Sequence, residues 1–132
     1  MMIFVDSSFF IALVDRKDQW HPAAKAVLPV LADETIIISD LIIAESVTII
    51  GRRSGGKAGE QLYHYFTDNC DLVVTDEKIL KGGMSVFLRY DGTLSVSDAV
   101  SVFIMEKKNI DRILSFDSDF DKVAGIVRIH KP

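Results

Sequence analysis

Short runs of aliphatic and β-branched residues alternate along the chain with longer segments in which apolar residues recur every three or four positions. The short runs predict strands and the longer segments predict helices. The predicted strands are 2–5, 35–38, 72–74, 112–116 and a short 126–129. The predicted helices are 8–14, 21–31, 40–53, 59–67, 77–88 and 97–107. Because strands that alternate with helices are typical of a covered parallel sheet, we expect a three-layer α/β/α sandwich with four to five parallel strands.

Two features of the polar pattern predict breaks in these elements. Gly82 and Gly83 are adjacent in the fifth predicted helix and should interrupt or end it. Asp121 should cap a final helix, since aspartate is a preferred N-cap residue.

A length of 132 residues corresponds to a single domain, so we expect residues 1–132 to form one unit with its own core. The apolar beginning of the chain lacks a basic leader and is broken by Asp6, which predicts neither a signal peptide nor a membrane span. The one cysteine, Cys70, cannot form an internal disulfide and suits a reducing, cytoplasmic environment.

Four aspartates directly follow predicted strands, and they are Asp6, Asp40, Asp76 and Asp117. In an open parallel sheet ligands bind outside the carboxyl ends of the strands, so these positions are candidates for a site. Each aspartate could equally be the N-cap of the helix that follows it.

Two further acids have different explanations. Glu45 lies in a mostly apolar predicted helix, where a carboxylate needs a partner. Asp98 stands three residues after Ser95, so it could close a capping box at a helix start.

The net charge of −4 argues against binding nucleic acid through bulk electrostatics, which needs clustered Lys and Arg. One local basic patch exists, formed by Arg52, Arg53 and Lys57 in the stretch GRRSGGKAG. It could contact nucleic acid, or it could simply be a solvated helix end followed by a glycine-rich turn.

Taken in order and spacing, four stretches resemble the sequence blocks of the PIN-domain ribonucleases, and most of all the compact VapC-type toxins of bacteria and archaea. These stretches are FVDSSFFIAL, LIIAES, LSVSDAVSVFIM and ILSFDSDFD. The resemblance covers nearly the whole chain.

The resemblance implies a site for one or two divalent cations at one end of the sheet. The residues that match its four acidic positions are Asp6, Glu45, Asp98 and Asp117. Asp119 matches a further acid near that site, and Ser7 and Ser115 match its small hydroxyl residues. The resemblance also implies a homodimer and a groove for an amphipathic antitoxin helix. The apolar run 36–50 has more apolar residues than one helix face needs, and it could supply part of such an interface.

The residue types support the same chemistry. A site of carboxylates without His or Cys selects Mg²⁺ or Mn²⁺, and such an ion can activate a water to attack an RNA phosphodiester. An EF-hand loop at DSDFD is excluded, because its required glycine would be Lys122 and its required glutamate Arg128. We therefore expect a metal-dependent endoribonuclease, with a non-catalytic PIN-like interaction module or a structure-specific DNA nuclease as the alternatives.

Overall fold

The computed structural model describes residues 1–132, and its five short strands form one parallel sheet. The strands are β1 (Met2–Val5), β2 (Thr35–Ser39), β3 (Asp71–Val73), β4 (Arg112–Leu114) and β5 (Val127–Ile129). Their order across the sheet is β3-β2-β1-β4-β5. The first strand of the chain is therefore the central one, with β2 on one side and β4 on the other.

Six α-helices flank the sheet: α1 (Ser7–Val14), α2 (His21–Val27), α3 (Asp40–Ser54), α4 (Gly56–Asn69), α5 (Glu77–Arg89) and α6 (Val96–Lys108). Two short 3-10 helices span Leu28–Leu31 and Ser118–Lys122. Helix α1 packs against α2 and α3, α3 packs against α4, and α5 packs against α6. The predicted three-layer α/β/α sandwich with a parallel sheet is confirmed.

Several predicted boundaries are corrected. The predicted helix 21–31 is an α-helix only to Val27, since Pro29 lacks the N–H that would continue it, and the chain tightens into a 3-10 turn. The predicted strand 112–116 ends at Leu114, because the Phe116 N–H donates to the Ser8 hydroxyl instead of to a neighbouring strand.

The turn after α3 is shorter than its glycine-rich sequence predicts. Only Gly55 lies between α3 and α4, in a conformation with φ of 96° that favours glycine. Helix α4 begins at the next residue, Gly56, whereas the sequence predicts a start at residue 59.

The prediction that Gly82 and Gly83 interrupt the fifth helix is wrong. Helix α5 runs through both of them, and they lie where it meets α6. A β-carbon at Gly82 would lie 2.2 Å from the Phe103 ring, and one at Gly83 would lie 2.5 Å from Val100 Cγ2. Here glycine permits close packing of two helices.

The apolar run 36–50 also has a different explanation from the one considered for it. Its first three residues, Ile36, Ile37 and Ile38, are buried in β2 as part of a core of thirty residues. This part of the apolar surplus therefore lies inside the molecule.

No helix combines the length and the apolar composition that crossing a membrane requires.

The register of the central strands positions the site. Val5 of β1 pairs with Leu114 of β4, and the Asp6 N–H donates to the Leu114 carbonyl at 3.0 Å. Asp6 and Ser115 consequently leave the sheet side by side, at its carboxyl end.

Candidate metal centre

Asp6 leaves the end of β1 almost completely buried, with 4% of its surface exposed. Its Oδ2 atom accepts hydrogen bonds from the hydroxyls of Ser8 and Ser115, each at 2.8 Å. Its side chain makes no capping bond to α1, so capping does not explain this aspartate. Burial is the largest cause of a raised pKa for Asp6, and the nearby charge of Glu45 adds to it, although the two serine hydroxyls oppose the shift.

Ser115, fully buried, links two of the predicted site acids. Its hydroxyl donates to Asp6 and accepts the Asp117 N–H at 3.0 Å. It also lies 3.2 Å from the hydroxyl of Ser8. One small side chain therefore fixes both the carboxylate of Asp6 and the backbone at Asp117.

Glu45 lies on the exposed side of α3. This helix is less completely buried than its apolar sequence predicts. The helix buries Ile42, Ser46 and Ile50 and turns Glu45 outward. The hydroxyl of Ser7 donates to Glu45 Oε1 at 2.9 Å, which draws this carboxylate toward the end of β1. Its partner is thus one of the two serines that the sequence nominates.

Asp98 is in the first turn of α6, where its N–H donates to the Ser95 hydroxyl at 3.0 Å. This bond is one half of the capping box considered from the sequence. Burial, first of all, and then the negative charges of Asp6 and Asp117 together raise the pKa of the Asp98 carboxyl from 3.8 to about 7. Asp98 consequently faces the other acids.

Asp117 has both of the roles considered for it. Its Oδ1 accepts the Asp119 N–H at 2.9 Å and so caps the 3-10 helix Ser118–Lys122, yet it also lines the acidic cleft. The prediction that Asp121 caps a final helix is wrong, because the short helix begins at Ser118 with Asp117 as its N-cap, and Asp121 lies inside it. Asp121 instead pairs with Arg128, Oδ1 to Nε at 2.9 Å.

The other two aspartates that follow strands have structural roles. Asp76 caps α5 by accepting the Ile79 N–H at 2.8 Å. Asp40 does not cap α3, since Ser39 does so, and its Oδ1 accepts the N–H and the hydroxyl of Thr75.

All the predicted metal-site acids line one open cleft of about 440 Å³. The cleft is lined by Asp6, Ser7, Ser8, Ile11, Asp18, Trp20, Glu45, Arg53, Ser95, Asp98, Asp117 and Asp119. No three of its carboxylates, and no other set that includes His or Cys, converge closely enough to enclose an ion by themselves. Carboxylates spaced around an open cleft fit Mg²⁺, because this ion usually keeps several waters and takes only one or two carboxylates directly.

The predicted basic patch separates into two parts. Arg53 lines the cleft, and its Nη1 pairs with Asp15 at 3.1 Å and with Asp18 at 3.0 Å. Arg52 and Lys57 are exposed and lie outside the cleft. Only Arg53 of the three is near the acids.

Five residues of the cleft were not identified from the sequence as site residues: Ser8, Ile11, Asp18, Trp20 and Ser95, the last of which was considered only as a helix cap. Ser8 directly follows Ser7 in the DSS stretch, so its proximity to the first aspartate was a usable signal. Asp18 and Trp20 lie in the connection between α1 and α2, which carries no strand or motif that points to a site.

The chain as a whole is similar to known proteins. Residues 3–126 match the model of the PIN domain family. The chain is 31% identical over 133 residues to the 23S rRNA-specific endonuclease VapC20 of Mycobacterium tuberculosis, covering 97% of this chain and 98% of that protein.

Two solved structures extend the likeness. The crystal structure of Mycobacterium tuberculosis VapC20, described as a sarcin-ricin loop cleaving toxin, matches with a TM-score of 0.85 and 27% identity over 96% of this chain and 98% of that one. A toxin–antitoxin complex from Klebsiella pneumoniae shares the fold, with a TM-score of 0.71 and 16% identity over 96% of each chain. The family resemblance noted from four sequence blocks is confirmed: the chain belongs to the PIN-domain family and is of the VapC type.

Proposed function

We propose that this chain is a divalent-metal-dependent endoribonuclease that acts as the toxin of a toxin–antitoxin pair. The observation that carries the proposal is the gathering of six carboxylates, among them all five predicted site acids, around one cleft at the carboxyl end of the sheet. The 31% identity to VapC20, which is named as an rRNA endonuclease, extends over 97% of the chain and supports RNA as the substrate. Such a target would place the protein in the cytoplasm.

Four side chains would hold one or two Mg²⁺ or Mn²⁺ ions: Asp6, Glu45, Asp98 and Asp117. Asp119 would assist from the rim, where it also pairs with Lys122 at 3.1 Å. When bound, the ion would lower the pKa of a water and offset the negative charge that develops on the phosphoryl oxygens.

The serines and the arginine would prepare the cleft for that ion and for RNA. Asp6 Oδ2 accepts the hydrogen bonds from Ser8 and Ser115. Asp6 Oδ1 accepts neither of these two bonds and would be the oxygen that binds a cation. Arg53 brings a positive charge to an otherwise acidic cleft and would contact a phosphate of the RNA. Arg52 and Lys57 would contact RNA farther from the reaction.

Incubating the purified, antitoxin-free protein with RNA and Mg²⁺ or Mn²⁺ tests the proposal. We expect internal cleavage that a chelator abolishes and that the cognate antitoxin suppresses. A parallel DNA substrate should remain intact. Cleavage of DNA alone would favour a structure-specific DNA nuclease, and no chelator-sensitive cleavage of any RNA would favour a non-catalytic interaction module.

The antitoxin would bind an apolar groove between α1 and α4. The groove has a volume of about 240 Å³ and is lined by Phe10, Leu13, Val14, Ala58, Gln61, Leu62 and Tyr65. Six of these seven residues are hydrophobic, which suits the apolar face of an amphipathic helix.

Residues 1–132 would form a single nuclease domain around the one core.

A homodimer is the second assembly that we propose. Leu80, Met84 and Leu88 recur every four residues on α5 and remain exposed, with 78% of Leu88 accessible. Such an apolar stripe on one face of a helix suits an interface. Light scattering at micromolar concentration should give the mass of a dimer, and Leu88→Glu should shift it toward the monomer. A wild-type monomer at that concentration would contradict the proposal.

A further inference from the structure

Trp20, the one tryptophan of the chain, lies at the beginning of α2 and lines the acidic cleft. Its residue surface is 44% exposed, which is high for the largest apolar side chain. Its ring stacks on that of Phe116, with centroids 5.4 Å apart and planes 6° from parallel. One face of the indole is thus supported, and much of the remaining ring is open to solvent in the cleft.

The supporting ring is itself firmly held and connected to the acids. Phe116 is 8% exposed and also contacts the ring of Phe9, at 6.4 Å between centroids. Its N–H donates to the Ser8 hydroxyl at 3.0 Å, and that hydroxyl donates to Asp6. The stacked pair therefore has a fixed position relative to the predicted metal-binding carboxylate of Asp6.

A second set of bonds connects Trp20 to the positive charge of the cleft. The backbone N–H of Trp20 donates to Asp18 Oδ1 at 2.9 Å, and Asp18 Oδ2 pairs with Arg53 Nη1 at 3.0 Å. Both ion pairs of Arg53 use Nη1, so Nε and Nη2 lie outside them. The Asp18 carboxylate therefore holds both the backbone at Trp20 and the guanidinium of Arg53, whose Nε and Nη2 remain free to donate.

We propose that Trp20, backed by Phe116, is a stacking platform for an unpaired nucleobase of the RNA next to the bond that is cleaved. The inference rests on the proposed ribonuclease function. An unpaired nucleotide offers the π-face of its base to the indole and its phosphate to Arg53, whereas a base inside a duplex is already stacked on its neighbours. The platform consequently selects single-stranded or looped RNA at this position and tolerates different bases.

The single tryptophan gives a direct binding signal. The protein carrying Asp98→Asn, with Mg²⁺ present, should bind a short single-stranded RNA that contains a cleavage site mapped with the wild type. We expect this RNA to quench the fluorescence of Trp20. The same RNA with an abasic residue at one nucleotide beside the scissile bond should lose most of the quenching.

Variants separate stacking from packing. Trp20→Ala should raise KM about 10- to 100-fold with a smaller change in kcat, and Trp20→Phe should retain most of the affinity because it keeps a stacking ring. Trp20→Leu covers Phe116 without an aromatic face, so it should resemble Trp20→Ala even if the alanine variant folds poorly. Tyr63→Ala is the matched control, since Tyr63 is 45% exposed on α4 outside the cleft, and its KM should not change.

Two results would overturn the platform: fluorescence that RNA does not alter, or a Trp20→Leu enzyme whose KM equals that of Trp20→Phe. Trp20 would then serve packing or a protein partner. If the wild type cleaved no RNA, the proposed function would fail. In that case quenching of Trp20 by a short single-stranded RNA, and its loss with an RNA of the same length made only of abasic residues, would still decide the platform separately, because neither RNA needs a mapped cleavage site.

Discussion

Asp98→Asn should lower the rate of RNA cleavage by a factor on the order of 10²–10³ or more. The same substitution should stabilise the metal-free protein at neutral pH. Activity falls because the substitution removes a charged oxygen from the site that would hold the cation. Stability rises because the carboxyl of Asp98 is forced to ionise among the charges of Asp6 and Asp117. Chelator-treated protein and RNA cleavage assays measure the two effects.

The pH dependence follows from the sign of this shift. The pKa of Asp98 is raised from 3.8 to about 7 in the folded protein, so the folded state holds a proton that the unfolded state releases. The free energy of unfolding should therefore fall as the pH rises from about 4 to 7, by on the order of 2–4 kcal/mol from this group. Below pH 4 both states are protonated and the group has no effect.

Urea unfolding of the metal-free protein at pH 5 and pH 8 tests this expectation. The wild type should be less stable at pH 8, and Asp98→Asn should show a smaller difference, which reflects the remaining raised pKa of Asp6. Asp68→Asn is a suitable control, because Asp68 is an exposed residue of α4 and should leave both the slope and the activity unchanged. An equal decline in wild type and Asp98→Asn would contradict the prediction.

Ser115→Ala should weaken Mn²⁺ binding about 10- to 100-fold, although Ser115 is not itself expected to contact the ion. The substitution removes a donor to Asp6 and an acceptor for the Asp117 N–H, so two predicted ligands lose their orientation. Because both lost partners are buried or partly buried, the free energy of unfolding should also fall by about 1–3 kcal/mol. The melting temperature in a series of MnCl₂ concentrations reports both effects, since an ion that binds only the folded state stabilises it by mass action.

Ser101→Ala provides the matched control for Ser115→Ala. Ser101 is equally buried, with 0% exposed, but its hydroxyl donates within α6 to the Ser97 carbonyl at 3.0 Å. Its removal should cost less stability and leave the Mn²⁺ response intact. If the two variants responded to Mn²⁺ alike, Ser115 would have no role in positioning the acids.

The gathering of the acids was predictable from the sequence for a simple physical reason. Parallel strands end at the same edge, so Asp6 and Asp117, which follow β1 and β4, had to leave the sheet together. Glu45 and Asp98 lie on helices, and their place in the cleft was available only from the family resemblance. The serine partners of Asp6 and Glu45 also matched that resemblance, apart from Ser8.

Other features depended on tertiary packing that a single sequence does not reveal. Gly82 and Gly83 have the composition of a turn, but they lie inside a helix and permit its close packing against Phe103 and Val100. Asp121 has the composition of a cap, but an aspartate four residues earlier already caps that helix. Trp20 carries no local signal at all, because its partner Phe116 is distant in the chain.

The central position of β1 has a consequence for the synthesis of the protein. The first strand leaves the ribosome early, yet its second neighbour, β4, begins only at Arg112, and the last two acids of the cleft follow at Asp117 and Asp119. A partly translated chain can hold Asp6 and Glu45 but cannot bring the opposite wall of the cleft to them. Until nearly all of the described chain has been translated, the cleft of the nascent protein therefore lacks two of the acids that line it in the complete fold.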